Sequence, residues 1–334
     1  MTATDEVPII DIGPFLSGSE DGKAQVGAAV DRACRDIGFF QIVGHGVPTG
    51  EVDAVYSAAR SFFALPDADK EEAAQPAPDQ VRGWSGVGKE GLSYSLDEAA
   101  PGDLKEKMDM GPPGVDRSDP YFTGEAAGPH FAPNVWPTTV PGLRDAWETY
   151  FATMSELARQ LMMMFAVGLG LPEAFFDDKI DRHISMLRAL HYPNQPEPPL
   201  PGQLRAGAHS DYGSLTIVRQ EDRPGGLQVM ARSGEWTDVP VVPNGFVVNI
   251  GDLMAEWTND RWVSTLHRVV NPPRERADDA DRVSIVFFHQ PNYDAVIECL
   301  PTVLEPGEAP KYEPISSGDH LYQKFVKQTS MGAA

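Results

Sequence analysis

Of the eight histidines in this chain, His209 alone has an acid two positions on, Asp211 in the run AHSD. On a strand, residues i and i+2 project to the same face, so this imidazole and carboxylate can grip one ion. A third donor is then required downstream, on another extended run. His267 in STLHRVV meets that need, because its neighbours are largely apolar and β-branched. Two neutral imidazoles and one carboxylate leave open positions on an ion, a donor set suited to Fe(II) and dioxygen chemistry. Taken singly, His267 also reads as a hydrogen-bonded core histidine, and HSD as a polar turn at a strand end.

Arg282 and Ser284 follow in DRVSIVFFHQ, again two apart. An arginine and a hydroxyl on one strand face form a forked, charge-assisted clamp for a carboxylate. The competing reading leaves Arg282 exposed, or paired with Asp278, Asp279 or Asp281. No HExxH run is present, which argues against zinc hydrolysis of that type.

The elements that must carry these residues fall into two halves. VPIIDI (7–12) reads as a strand, a helical spacing of apolar residues follows over 23–37, and FFQIVG (39–44) reads as a buried strand. Helical spacing returns from Thr49 to Ala64 and over 141–170, where Leu143, Trp147, Phe151, Met154, Leu157 and Leu161 form a stripe. Residues 75–145 are rich in Gly, Pro and Asp and predict irregular chain with one or two short strands. From about 184, runs such as ISMLRALHY, SLTIVRQ, GLQVMA, FVVNIG, STLHRVV and RVSIVFFHQ alternate with turn residues. Many short strands between turns predict a closed or sandwiched β architecture. A last helix is predicted over 317–328, with Leu321, Phe325 and Val326 as its apolar residues.

Composition bounds the partners. Twenty-seven basic residues stand against 49 acidic ones, a net charge of −22, which repels phosphate backbones and anionic lipid. Neither nucleic acid nor membrane is therefore expected. The start, MTATDEVPIIDIG, has no basic region leading into an apolar stretch, so no secretory signal is expected. Cys34 and Cys299 match no metal or redox spacing and read as buried, reduced thiols, consistent with a cytoplasmic location.

Taken in order, HSD (209–211), GGLQV (225–229), VVNIGD (247–252), LHRV (266–269) and RVSIVFF (282–288) resemble the isopenicillin N synthase-like 2-oxoglutarate/Fe(II)-dependent dioxygenases. The first half agrees, with GFFQIVGHGVP (38–48), FFALP (62–66), RGW (82–84), LKEKMDMG (104–111) and PNVWP (133–137). The resemblance implies an α+β fold that is mainly β: a double-stranded β-helix, or jelly-roll, with a helical N-terminal region packed on it. It implies one structural unit over 1–334, an N-terminal dioxygenase region at 7–118 and a catalytic core at 182–291.

The resemblance also implies Fe(II), 2-oxoglutarate and O2 as cofactor and co-substrates. His209, Asp211 and His267 match the iron ligands, and Arg282, Ser284 and Tyr192 match the residues holding the far carboxylate of 2-oxoglutarate. His45 matches a structural residue, and Gly251-Asp252 matches a turn between strands. Arg188, Val218 and Phe288 match positions that line the substrate pocket. The implied reaction oxidises a small organic metabolite by hydroxylation, desaturation or ring formation, releasing succinate and CO2. An oxidase of the same fold that uses no 2-oxoglutarate stays open, since isopenicillin N synthase keeps a comparable Arg-x-Ser pair. One departure stands out: many members have NYYP where this chain has LHYP (190–193).

Overall fold

The computed structural model describes residues 6–77, 80–93 and 100–332, with the side chains of 325–332 outside the described set. The chain runs β1 (Ile9–Asp11), α1 (Glu20–Asp36), β2 (Phe39–Val43), α2 (Thr49–Phe63), β3 (Gly83–Ser85), β4 (Glu106–Met110) and α3 (Leu143–Gly168). It continues through β5 (Met186–Tyr192), β6 (Ala206–His209), β7 (Leu215–Gln220), β8 (Leu227–Met230), β9 (Trp236–Asp238) and β10 (Phe246–Ile250). The last elements used below are α4 (Asp252–Trp257), β11 (His267–Val269), β12 (Arg282–His289) and α5 (Ser317–Gly332).

Eight strands form one sheet in the order β1-β2-β10-β7-β12-β5-β4-β3, and four form a second in the order β6-β11-β8-β9. Among the described strand pairs of these two sheets, only β1–β2 is parallel. Strand alternation divides the larger sheet's residues between two layers. Leu187 and Ala189, Leu215 and Ile217, Phe246 and Val248, and Val283, Ile285 and Phe287 join α1, α2 and α3 in the main core. Burying each such Val, Leu, Ile or Phe side chain contributes about 1.5–3 kcal/mol. The intervening residues Leu190, Tyr192, Val247 and Val286 meet Ala206, Leu227, Val229 and Val269 of the smaller sheet in a second core. The result is a jelly-roll whose outer face is sheathed by helices and whose inner space holds a cavity.

Three expectations change. Strand β6 ends at His209, so Asp211 lies in the loop beyond it and not on the strand. The EKMDM run is the fully buried β4, which with β3 supplies the two short strands expected within 75–145. Gly251 and Asp252 do not join two strands; Gly251 precedes Asp252 as the opening of α4. Cys34 is buried, but Cys299 is only half-buried. Helix α5 includes the predicted 317–328, although the side chains of Phe325 and Val326 lie outside the described set.

Gly38 joins α1 to β2 with φ at 68°, and a Cβ there would stand 1.9 Å from the Val263 carbonyl oxygen. Backbone would have to move to admit any side chain, in a conformation that favours glycine. Gly38→Ala is expected to lower stability by at least about 2 kcal/mol, measured as a fall in the urea midpoint at unchanged slope.

Candidate metal and co-substrate site

Strands β6 and β11 are antiparallel neighbours, and His209 and His267 are directly opposed in their register. That pairing brings the two imidazoles to a centroid separation of 4.2 Å. His209 Nδ1 lies 2.8 Å from the Gly207 carbonyl, and His267 Nδ1 lies 3.2 Å from that of Thr265. Donating Nδ1–H to a carbonyl fixes the tautomer and leaves each Nε2 lone pair free for a metal. Asp211 is aimed from its other side. Its Oδ2 accepts from Thr216 Oγ1 and Asn249 Nδ2, each at 2.6 Å. Its Oδ1 then faces His209 Nε2 at 3.9 Å and His267 Nε2 at 3.8 Å.

The three ligand atoms lie within 4.8 Å of one another. Burial pushes the His209 imidazole down, with His267 adding to the effect, so the ring is neutral and able to ligate. Burial opposes ionisation of Asp211, but His267, His209 and the bonds from Asn249 and Thr216 hold it below the usual carboxylate range. Two oriented imidazoles beside one ionised carboxylate fit Fe(II).

Arg282 opens β12 directly opposite Tyr192 of β5, with its guanidinium 4.9 Å from the tyrosine ring centroid. It is buried, and Nη1 donates to the Gly225 carbonyl at 2.7 Å. Its Nε, the Ser284 hydroxyl and the Gln220 amide nitrogen are buried with no hydrogen-bond partner among the described residues. Gln220 and Ser284 are themselves opposed across β7 and β12. Each unpartnered buried donor costs about 1–3 kcal/mol, and an entering carboxylate would satisfy the cluster. Of the acids that could have paired with Arg282, Asp281 faces the other side of the sheet, where it meets His191 and Arg60. Asp279 pairs with Arg223 and Arg276.

Both sets of residues border one cavity of about 460 Å³, a size typical of small-molecule sites. Arg188, Val218 and Phe288 line it as well. The Arg188 guanidinium is committed to Asp109, through Nε–Oδ1 at 2.6 Å and Nη2–Oδ2 at 3.1 Å, and lies 3.6 Å from Glu90. Lys105 and Lys107 extend this strip, pairing with Glu90 at 3.0 and 3.1 Å and with Asp103 and Asp109. Burial opposes the Asp109 charge, but Arg188 and Lys107 outweigh it and hold the carboxyl below its ordinary range. His45 is remote from this chemistry, its Nε2 2.7 Å from the Asn244 carbonyl.

Sequence reasoning missed Asn249, Thr216, Gln220, Glu90 and Lys105. A signal existed for Asn249, an amide inside the otherwise apolar VVNI run that a buried strand tolerates only with partners. Nothing local distinguishes Glu90 or Lys105 from surface charge.

Comparison with known proteins agrees with this geometry. Residues 7–139 match the family model described as non-haem dioxygenase in morphine synthesis, N-terminal. Residues 183–291 match that of the 2OG-Fe(II) oxygenase superfamily. The chain is 37% identical to the 2-oxoglutarate-Fe(II) type oxidoreductase hxnY of Emericella nidulans, over 93% of this chain and 87% of that one. It is 33% identical to a homoarginine-6-hydroxylase of Oryza sativa subsp. japonica, over 96% of each. A full-length Neurospora crassa protein, solved in complex with alpha-KG, superposes with a TM-score of 0.83 at 33% identity, covering 96% of each chain. The chain thus belongs to the 2-oxoglutarate/Fe(II)-dependent oxygenases. It is an oxidoreductase that uses Fe(II), 2-oxoglutarate and O2, which decides against the 2-oxoglutarate-independent oxidase the sequence had left open.

Because Asn249 and Thr216 hold the Asp211 oxygen that faces away from the histidines, their loss is expected to act on metal retention. Asn249→Ala and Thr216→Val should each weaken Fe(II) binding by roughly tenfold to a hundredfold. Competition against a coloured chelator measures this, and folding should be little altered.

Proposed function

We propose that His209, Asp211 and His267 hold the iron and that Arg282, Ser284 and Tyr192 hold the far carboxylate of 2-oxoglutarate. A small metabolite is then oxidised against the wall formed by Arg188, Val218 and Phe288. The observation that carries this reading is the pair of buried, unpartnered donors on Arg282 and Ser284, facing the same cavity as the three converging ligand atoms. Iron and 2-oxoglutarate, when bound, supply the oxidising chemistry, in which 2-oxoglutarate and O2 give succinate and CO2 as the substrate is oxidised. The chain's part is orientation. The carbonyls of Gly207 and Thr265 aim the imidazoles, Thr216 and Asn249 aim the carboxylate, and the Gly225 carbonyl steadies the arginine fork.

The wall favours a neutral, hydrogen-bonding substrate. Lys105, Lys107 and Arg188 are balanced by Glu90, Asp103 and Asp109, so the strip carries no spare charge for an ionic group. Structures of the same Neurospora crassa protein hold thymine or 5-formyluracil beside alpha-KG, molecules of this general kind. The chain acts as one unit, 1–334, with an N-terminal region at 7–118 and a core at 182–291. The contribution of β1, β2, β3 and β4 to the same sheet as β5, β7, β10 and β12 supports this. A cytoplasmic location, with neither nucleic acid nor membrane as partner, is supported by the net charge of −22 and by two unpaired cysteines. Among the described residues no helix is long and apolar enough to cross a membrane.

Substitutions at two positions test the reading. Arg282→Ala is expected to weaken 2-oxoglutarate binding by roughly tenfold to a hundredfold, with partial rescue in Arg282→Lys, which lacks the planar fork. Titration of the anaerobic iron protein measures it, and unchanged affinity in Arg282→Ala overturns the clamp. Loss of iron and of succinate formation is expected in His267→Ala.

Arg188→Met removes the two-pronged partner of buried Asp109 and leaves only Lys107 against it, so a stability loss of about 3 kcal/mol is expected. Thermal unfolding measures that loss. A large rise in substrate KM at unchanged stability would instead make Arg188 an ionic substrate anchor.

A further inference from the structure

The departure at LHYP places His191 where many relatives have tyrosine, and this histidine takes no part in the site described above. His191 lies between Leu190 and Tyr192 on β5, so its side chain leaves the sheet on the face away from the cavity. There it stacks on Phe63 of α2, with ring centroids 5.1 Å apart. Both ring nitrogens face carboxylates: Nδ1 is 2.7 Å from Glu106 Oε1, and Nε2 is 2.7 Å from Asp281 Oδ2. An ionised carboxylate only accepts, so both nitrogens must donate, and only the imidazolium carries both protons. A tyrosine at this position has one proton and could serve one of the two acids.

The surrounding charges hold the two carboxylates in place. Glu106 Oε2 accepts from Lys70 Nζ at 2.8 Å and from Trp84 Nε1 at 2.7 Å. Lys70 also pairs with Asp67 at 2.9 Å. Asp281 Oδ1 lies 3.1 Å from Arg60 Nη1 of α2, and Arg60 forks onto Glu221. Glu221 Oε2 in turn accepts from the Val283 amide at 2.9 Å. Val283 and His191 are opposed across β12 and β5, as are Arg282 and Tyr192 one step away. The ionic chain therefore grips, from behind, the end of the two strands that bears the co-substrate residues.

We propose that His191 is a positioning residue for the co-substrate site. As an imidazolium it ties Asp281 to Glu106, fixing the strand ends from which Arg282 and Tyr192 reach 2-oxoglutarate. The proposal rests on the clamp reading above. Burial lowers the His191 pKa, but the bonds to Asp281 and Glu106 outweigh it and leave the value raised. A raised folded value means the tie is complete below the ordinary imidazole pKa of about 6.5 and is lost as pH climbs through the raised value. Affinity for 2-oxoglutarate should fall over that same interval.

Calorimetric titration of 2-oxoglutarate into the manganese-loaded protein, from about pH 6 to about pH 9, spans the range in which a perturbed histidine titrates. NMR of the His191 ring gives its pKa independently. In the wild type, affinity is expected to fall roughly tenfold in step with the His191 titration. His191→Phe should bind roughly tenfold more weakly at the acid end and show no such decline. Asp281→Asn keeps the histidine but removes one acid, so both the NMR titration and the affinity change should move to lower pH. That variant decides the matter should His191→Phe fail to fold. Wild-type affinity and profile in His191→Phe, or an affinity change that does not follow the His191 titration, overturns the proposal. Failure of the clamp itself is recognised separately. Arg282→Ala would then bind 2-oxoglutarate normally, while Asp281→Asn would still lower the His191 pKa by NMR.

Discussion

Residues on a β-strand face alternately to either side, and every feature of the site depends on how the eight-stranded sheet uses those sides. Val283, Ile285 and Phe287 are held under the helices by the main core, which obliges Arg282, Ser284, Val286 and Phe288 to face the cavity. A slip of one residue in β12 would exchange the two sets, burying the arginine beneath α2 and α3 and filling the cavity with apolar side chains. Pairing along β5 on one side and β7 on the other opposes that slip. Apolar packing on the outer face thus fixes the polar geometry on the inner one.

The inner face can then hold charge that a small core could not. Six charged residues, Glu90, Asp103, Lys105, Lys107, Asp109 and Arg188, meet along its edge, and each has an opposite partner. Buried pairs of this kind contribute little net stability, because desolvation offsets most of their attraction. Removing one partner is far more costly than the pair is worth. The strip therefore behaves as a rigid polar wall. Arg282 Nε, the Ser284 hydroxyl and the Gln220 amide nitrogen cluster as buried donors without a hydrogen-bond partner among the described residues, which marks their end of the cavity as the place where a ligand completes the structure.

Much of this was legible in the sequence because strand alternation is short-ranged. RVSIV announces two residues on one strand face, AHSD and STLHRVV offer the three metal donors, and the structure brings all five named side chains to one cavity. What could not be read was set by chain distant in sequence. Asn249 meets Asp211 from 38 residues away, and Asp109 meets Arg188 from 79. The burial of β4 was hidden for a related reason: Met108 and Met110 alternate with charged residues, and Lys107 and Asp109 find their charge partners only in the folded sheet. Asp211 lies off the strand that its spacing suggested, and the loop brings it to the histidines because Thr216 and Asn249 hold its far oxygen.

The same alternation makes β5 a two-sided element at its last residues. Tyr192 faces the cavity, and His191 faces α2 with a carboxylate at each ring nitrogen. Elsewhere the helix-covered face of this sheet is largely apolar, so a charged chain running Arg60–Asp281–His191–Glu106–Lys70 stands out. Apolar residues of similar volume would stabilise the fold about as well, so stability alone does not account for it. An apolar contact, however, is non-directional and would leave Asp281 unaimed. A hydrogen bond fixes an angle as well as a distance. Since Asp281 immediately precedes Arg282, direction imposed on one constrains the backbone of the other. Under the proposal for His191, the ionic chain contributes orientation at the one strand end where orientation governs co-substrate binding.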